Sequence, residues 1–561
     1  MSDAPNGKNG KSIIPSHFQA ELPLDRLILK EKPGSDAVPM DVIFVGGGPA
    51  GLSGAIELAK LVKEDAAKGG GLGPVEIGVL EKANDVGEHC LSGAVVNPIS
   101  FRELFPDLKD SDFPFRTRVE RDRVYLLTES SSIRIPAPPP MHNVGSYVAS
   151  ISEIARWLGQ KAEELGVNVF KGFPADSLLV EGDQVIGVRT TPAGLDRKGE
   201  RGSRPYQPPT DLSARLTVLC EGTRGTLTQA FLRWQKIGSP NPQIFAIGVK
   251  ELWETKSVPN AVIHTLGWPL PRQVFGGTFL YPMDKNLISF GVVMGLDYHD
   301  SHFDPHAVLQ RFKNHPLLSQ YLEGGELQEW GAKTIPEGGY HSIPERLHGN
   351  GVLICGDAAG FVNVASLKGI HYAMKSGMLA ARAIFDALKA NDTSPARLGA
   401  YDAAIKESVI ERDLYKTRNM RLAFKSGFYT GGMKASFMTV TGGAFPGGKI
   451  SIEEDAAEPR EPLTNGVDKS KLKFSLSKMD AVFRSGNSTR DDIPSHLTVG
   501  EDVTPEVAEF YHHLCPAGVY ELEDGKLTVT PSNCIDCKAT DVLGPRWSPR
   551  EGGSGPRYRR M

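Results

Sequence analysis

The run from Asp41 to Val62, DVIFVGGGPAGLSGAIELAKLV, constrains this chain more than any other stretch. A short β-branched segment meets Gly46, Gly48 and Gly51 in G-x-G-x-x-G spacing, and helical apolar periodicity follows at once. Each glycine has its own physical reason: a sharp turn, close approach of a pyrophosphate to the backbone, and packing of helix on strand. The unpaired N–H groups and positive dipole end of that helix then face the phosphates. After a Gly-rich break at 69–74 comes VEIGVLEK, a second strand closed by Glu81, whose carboxylate can accept both ribose hydroxyls. Strand, helix, strand and acid in this order predict a dinucleotide site in an α/β fold.

Two later strand ends choose between dinucleotides. CEGTRG (220–225) ends a buried strand, and Gly222 lets its turn approach the same pocket. Cys355-Gly356-Asp357 ends another, with Asp357 placed for a ribityl hydroxyl or, as a competing reading, for a helix cap. The helix beyond can aim its N-terminus at the pyrimidine edge of a flavin. Together these predict FAD, with Asn363 as either a flavin-tuning polar group or a cap. No second complete G-x-G-x-x-G follows, so the electron donor is not a nicotinamide in its own domain. No general base is nominated.

The predicted organisation has six parts. Residues 1–40 read as a polar, mostly disordered leader. Residues 41–235 and 346–395 form a discontinuous, Rossmann-like FAD-binding domain of the glutathione-reductase type. Between them, 236–345 is an inserted, strand-rich domain punctuated by Gly and Pro. Residues 396–450 read as helical, 451–500 as a polar linker, and 501–561 as a small cysteine-bearing module. A hairpin near 123–141 runs into a polyproline stop. Glycine makes up 61 of 561 residues, against a usual ~7%, and no collagen-like period accounts for the excess. A net charge of −4 argues against an electrostatic nucleic-acid binder. No run reaches the ~18 apolar residues of a spanning helix. The N-terminus carries neither the apolar core of a secretory signal nor the Arg-rich, acid-poor character of a transit peptide.

Six cysteines do not make a disulfide scaffold in a chain of this length, and three of them fall in the last fifty residues. Cys534 and Cys537 stand in C-x2-C spacing, and Cys515 precedes a proline as in ferredoxin-type C-P elements. Zinc competes as a reading, but no Cys or His lies where its fourth ligand is expected. His512 and His513, just before Cys515, are read as surface residues in preference to ligands.

On these residues the chain resembles the electron transfer flavoprotein–ubiquinone oxidoreductase family, from about Asp41 to Tyr558. The likeness runs through VGGGPAGLSGAIELAK, GEHCLSGAVVNP, AIGVKELWE, FGGTFLYPM, IPEGGYHSIP, CPAGVYE, NCIDCK and EGGSGPRY. It implies an FAD domain, a quinone-binding domain with Phe275, Gly276 and Gly277 at the quinone carbonyl, and a ferredoxin-like [4Fe–4S] module on Cys515, Cys534 and Cys537. The implied partners are electron transfer flavoprotein, ubiquinone or menaquinone, and a membrane surface. Two departures stand out. Thr540 occupies the fourth cysteine position, with Asp541 one place out of register. Three outcomes stay open there: a [4Fe–4S] centre with Asp541 or water on one iron, a [3Fe–4S] centre, or no cluster. Gly-Asp-Ala at 356–358 points to a bacterial or divergent branch, hence the cytoplasmic face of a bacterial inner membrane.

Residues 425–445 mix aromatics, Met and small residues with Lys425 and Lys434. Such a segment can lie at a membrane interface with its lysines snorkelling, with the 123–141 hairpin as a second wedge; a covered core helix is the alternative. Two other function classes remain in view. One is a prenyl-lipid reductase or FixC-like electron donor with a cluster-free C-terminal module, and the other a binding or assembly protein. Visible absorption separates them: flavin plus a shoulder near ~400 nm, flavin alone, or neither.

Overall fold

The computed structural model describes residues 12–445, 447–464 and 472–561, without the side chains of Phe428 and Tyr429. Residues 1–11 of the expected leader and 465–471 of the expected linker lie outside the described residues.

The strand Val38–Val45 and helix Pro49–Ala67 form where the apolar pattern places them. Ile77–Glu81 pairs parallel beside the first strand, with Val79 opposite Phe44. A nine-stranded sheet builds around them in the order Ile28–Leu29, Ala175–Glu181, Gln184–Thr190, Asp211–Leu219, Val38–Val45, Ile77–Glu81 and Asn168–Lys171. Val352–Ile354, with His348–Gly349 beside it, joins at Asp211–Leu219. Ile77–Glu81 and Val352–Ile354 are buried at every residue, which is why they read as unbroken runs and not as alternation. Helix Ile370–Ala390 lies so close to Pro49–Ala67 that a Cβ on Gly377 would stand 2.1 Å from the Ala50 carbonyl oxygen.

A second sheet has seven strands, ordered Glu326–Pro336, Phe245–Glu254, Leu287–Gly295, Gly276–Asp284, Val262–Gly267, Asp122–Leu127 and Ser132–Ile135. Its last two strands are the hairpin, which lies outside the 236–345 boundaries expected for this domain. Asp122–Leu127 runs parallel to Val262–Gly267, a long-range pairing that no local pattern encodes.

Two further expectations are corrected. The leader is ordered from residue 12 onward: Ile13 bridges Arg460, and Ile28 and Leu29 pair with Leu178 and Leu179 at the edge of the first sheet. The linker packs as well. Arg460 is fully buried and donates to the carbonyl oxygens of Leu296 and Asp455, each at 2.8 Å. Polar composition there reflects a buried arginine tied to main-chain carbonyls and not a solvated tether. Within the expected 396–450 region the chain is largely helical as far as Val440, where Phe428–Val440 ends. Among the described residues no helix is long and apolar enough to cross a membrane.

Candidate functional site

A cavity of about 980 Å³ is walled by residues of both sheets. At its Gly-rich end Gly46 has φ +119°, and a Cβ there would stand 2.3 Å from the Cys220 carbonyl oxygen; one on Gly51 would stand 2.2 Å from that of Gly46. Gly48 has nothing within 4 Å of its Cβ position. Space is therefore open above the first helical turn, whose N–H groups lack intrahelical partners. Glu81 is buried at its strand end, with Oε1 accepting the Ala83 N–H at 2.8 Å, and desolvation pushes its carboxyl up. Gly222 turns with φ +72° into open space.

Further along the wall, Asp357 sits in the turn Gly356–Ala359, where burial pushes its carboxyl up to about 6. It caps no helix: Gly369 precedes Ile370–Ala390, and Gly369, Ile370 and His371 line the cavity themselves. Among the described residues the Asp357 carboxylate accepts no hydrogen bond, so it is free for a ligand hydroxyl. An open glycine cradle, the buried Glu81 carboxylate, the unpaired Asp357 carboxylate and a helix N-terminus fit an FAD. Asn363 departs from its expected role. It is buried but absent from the cavity wall, and its Oδ1 accepts from the Ser366 N–H at 3.2 Å and the Thr417 hydroxyl at 3.3 Å. It staples its own loop.

The second sheet supplies the facing wall. Phe275, Gly276 and Gly277 line it together. A Cβ on Gly276 would stand 2.1 Å from the Val293 carbonyl oxygen, and one on Gly277 2.3 Å from that of Thr265, so the sheet itself demands both glycines. Behind Phe275 the Arg421 guanidinium lies 4.1 Å from the ring centroid, held by Glu337 at 2.7 Å and Asp297 at 2.8 Å. These carboxylates raise its pKa further.

Sequence reading missed two lysines here. Gly248-Val249-Lys250 and Gly331-Ala332-Lys333 pair antiparallel, with Gly248 opposite Lys333 and Lys250 opposite Gly331. Both ammonium groups thus fall on the cavity face of the sheet, each beside a residue without a side chain. Lys250 donates to the Ser92 carbonyl oxygen at 2.9 Å, and burial brings its pKa down to about 7. Lys333 donates to the Asp536 carbonyl oxygen at 3.0 Å, and burial lowers its pKa as well. The repeated G-x-K, a lysine two residues after a strand glycine, was the available signal.

Cys515, Cys534, Cys537 and Thr540 face a second, smaller cavity with Tyr520, Lys538 and Trp547. Burial pushes the Cys534 thiol up to about 12 and raises Cys515 and Cys537 too, so these groups need a metal to become thiolates. The loop between Cys534 and Cys537 is pinned by buried Asp536, which accepts from Lys82 at 2.6 Å, Arg550 at 2.9 Å and the Trp547 indole at 3.0 Å. Three converging sulfurs fit an iron–sulfur cluster, with Thr540 facing the fourth corner. Asp541 does not reach it. Its carboxylate takes Arg224 Nε at 2.8 Å and the Trp547 N–H at 3.0 Å, and Arg224 and Lys538 hold its pKa low. Carboxylate ligation by Asp541, one of the expectations above, is overturned.

The comparisons with known proteins agree with this geometry. A Pseudomonas aeruginosa protein named electron transfer flavoprotein–ubiquinone oxidoreductase is 36% identical over 556 residues, spanning 93% of this chain and 98% of that one. The chain belongs to the electron transfer flavoprotein–ubiquinone oxidoreductase family. A mitochondrial member from Oryza sativa subsp. japonica is 36% identical over 553 residues, spanning 94% and 93% of the two chains. Residues 245–335 match the family described as ETF-QO, ubiquinone-binding, and 472–559 match its 4Fe-4S domain. The second match starts ahead of the expected module boundary at 501. Among solved structures, a geranylgeranyl bacteriochlorophyll reductase-like protein from Thermoplasma acidophilum shares the fold, at TM-score 0.56 and 20% identity over 73% of this chain and 97% of that one. As a family member the chain is an oxidoreductase that carries FAD and an iron–sulfur cluster.

Proposed function

We propose that this chain takes electrons from a reduced electron transfer flavoprotein and delivers them to ubiquinone, or equally to menaquinone, at the Phe275–Gly277 wall. One observation carries the reading: Lys538 and Trp547 line both cavities, so the two redox sites share a wall. When bound, a flavin exchanges electrons singly or in pairs and an iron–sulfur cluster singly, which bridges one-electron supply and two-electron quinone reduction.

The chain's own part is placement and charge. Gly46, Gly48, Gly51 and Glu81 hold the nucleotide end of the ligand, and Gly222, Gly356 and Asp357 the flavin end. Lys250 and Lys333 add positive potential to the wall and favour electron-rich ligands. Phe275, braced by Arg421, sets the plane against which a quinone ring can lie. Cys515, Cys534 and Cys537 hold the cluster from three sides, leaving water, or a missing iron in a [3Fe–4S] centre, at the Thr540 corner.

An apolar mouth supports peripheral, monotopic membrane attachment, which the reading places on the cytoplasmic face of a bacterial inner membrane. Pro136–Met141, Leu367, Gly432, Ala435, Thr439 and Val440 line the cavity, and Leu367, Met433, Phe437 and Val440 are exposed. An isoprenoid tail can then enter from the bilayer. The test mixes anaerobically purified protein with reduced electron transfer flavoprotein and a short-tail ubiquinone, after iron, sulfide and flavin have been counted. Quinol formation is expected. Its absence with flavin and iron intact sinks the reading, and iron-free protein with flavin would sink the cluster relay, leaving direct transfer from the partner to the flavin or the prenyl-lipid reductase.

A further inference from the structure

His302, Glu509 and His513 meet away from the redox site; none of the three lines either cavity. Glu509 and His513 lie four residues apart on helix Pro505–Leu514 and so share one of its faces. His302 comes from the turn beyond strand Leu287–Gly295. The ligating atoms of all three lie within 4.8 Å of one another.

His302 Nε2 stands 3.5 Å from Glu509 Oε2. That is long for a charge-assisted hydrogen bond, which closes to about 2.8 Å, and among the described residues Glu509 accepts no hydrogen bond. A tetrahedral ion with bonds of about 2.0–2.1 Å keeps its ligand atoms about 3.4 Å apart. The observed separation is that of two ligands of one ion. The His302 ring is also oriented for the task. Its Nδ1 lies 3.0 Å from the Thr464 carbonyl oxygen, an acceptor that keeps the proton on Nδ1 and leaves the Nε2 lone pair facing Glu509. Buried Asp300 fixes both partners, accepting the His302 N–H at 3.0 Å and the Thr464 hydroxyl at 2.6 Å. Such second-layer anchoring is the usual support of a metal-bound imidazole.

We propose that His302, Glu509 and His513 bind one Zn²⁺, with solvent as fourth ligand. Two imidazole nitrogens and one carboxylate suit zinc, whereas Ca²⁺ and Mg²⁺ take oxygen sets. All three side chains are half-buried, which leaves the open position wet. Helix Pro505–Leu514 runs directly into Cys515, so the ion ties the helix that carries a cluster ligand to the turn beyond the second sheet. Zinc at this site is structural and stands outside the electron path.

The test uses protein purified with its flavin and cluster in place, so that the cysteine thiols are occupied. After dialysis against a chelator it is titrated with Zn²⁺ by calorimetry, with metal analysis of the product. One Zn²⁺ per chain is expected, no binding of Mg²⁺, and at least about tenfold weaker zinc binding in His302→Gln and in Glu509→Gln, with iron per flavin unchanged. Wild-type protein that retains no zinc at micromolar free metal overturns the proposal. So do variants that bind as wild type does, since the ion would then sit elsewhere, the buried His496–Cys534–Asp536 group being the other candidate.

Discussion

Thr540 presents a hydroxyl and a methyl at a cavity whose other three corners present sulfur. Iron in such centres is held by thiolate, and the nearest carboxylate, Asp541, is spent on Arg224 and Trp547. Iron at the Thr540 corner is therefore the first to be lost. Thr540→Cys is expected to raise the iron kept after air exposure from about three to about four per flavin, with loss of the EPR signal of an oxidised three-iron centre. Iron analysis and EPR on the same sample check this; an unchanged count would show that the corner does not govern retention. Lys250 makes a second residue-scale prediction. Its folded pKa of about 7 lies below the ordinary lysine value of 10.5. Between those values the unfolded chain holds a proton that the folded chain has released, so stability rises with pH across that window. Lys250→Met removes the buried charge, and its stabilisation of flavin-free protein should be larger at pH 6 than at pH 9 by roughly 2 kcal/mol. Denaturant titrations at the two pH values measure it, and equal effects would mean that Lys250 keeps its proton in the fold across that range. Gly46, Gly48, Gly51 and Glu81 were legible because their spacing along the chain is itself the geometry. Lys250 and Lys333 were not, because their shared face exists only once two strands have chosen a register.

Among the elements, helix Phe428–Val440 turns one face to the cavity and another to the outside. Gly432, Ala435, Ser436 and Thr439 line the cavity, while Met433 and Phe437, four residues apart, point outward and are 60% and 59% exposed. An apolar outer face beside the mouth of an apolar cavity fits a lipid interface. Met433→Asp with Phe437→Asp is expected to cut binding to anionic liposomes at least tenfold while leaving turnover of a short-tail quinone within about twofold. Flotation assays and quinol formation separate the effects, and retained flotation would move the membrane face elsewhere. The apolar and aromatic content of 425–445 was readable in one dimension. Which face looked outward was not, since the small residues that let the helix close over the cavity resemble loop composition. Lys425 illustrates the limit: expected to snorkel, it is paired with Asp297 at 2.9 Å and Glu458 at 3.0 Å. Lys434 is exposed and donates to Ser426 Oγ at 3.1 Å.

At the scale of the molecule, six parts were expected with one insertion, and the chain plaits them further. The hairpin leaves the first domain to complete the second sheet, and the C-terminal residues return across both sheets. Composition marks where apolar and polar stretches alternate, but only long-range contacts say which of them belong together, and no periodicity records those. The return path has a mechanical consequence. The Tyr558 N–H donates to the Glu88 carbonyl oxygen at 2.9 Å, the Arg559 N–H to Glu329 at 2.8 Å, and the Ser150 hydroxyl to the Met561 carbonyl oxygen at 3.0 Å. Gly553 donates to the Lys82 carbonyl oxygen at 2.8 Å, beside Glu81 at the nucleotide end. The cluster module is thus stitched to the nucleotide wall at one end and to the second sheet at the other, and neither can open alone. Flavin release and cluster bleaching should therefore fall in one thermal transition, followed by flavin fluorescence and by visible absorbance in the same scan. Tyr558 tests the stitch directly. Its ring is 1% exposed, and a Cβ on Gly331 would stand 2.6 Å from its hydroxyl oxygen, so the ring fills a slot that only glycine leaves. Tyr558→Ala removes that packing at about 3–5 kcal/mol and should lower both signals together. Tyr558→Phe deletes a buried hydroxyl that has no partner among the described residues and should leave the transition within about 1 kcal/mol of wild type. Two separated transitions in wild type, or an alanine variant that loses iron while its flavin signal holds, would mean that the module folds on its own terms.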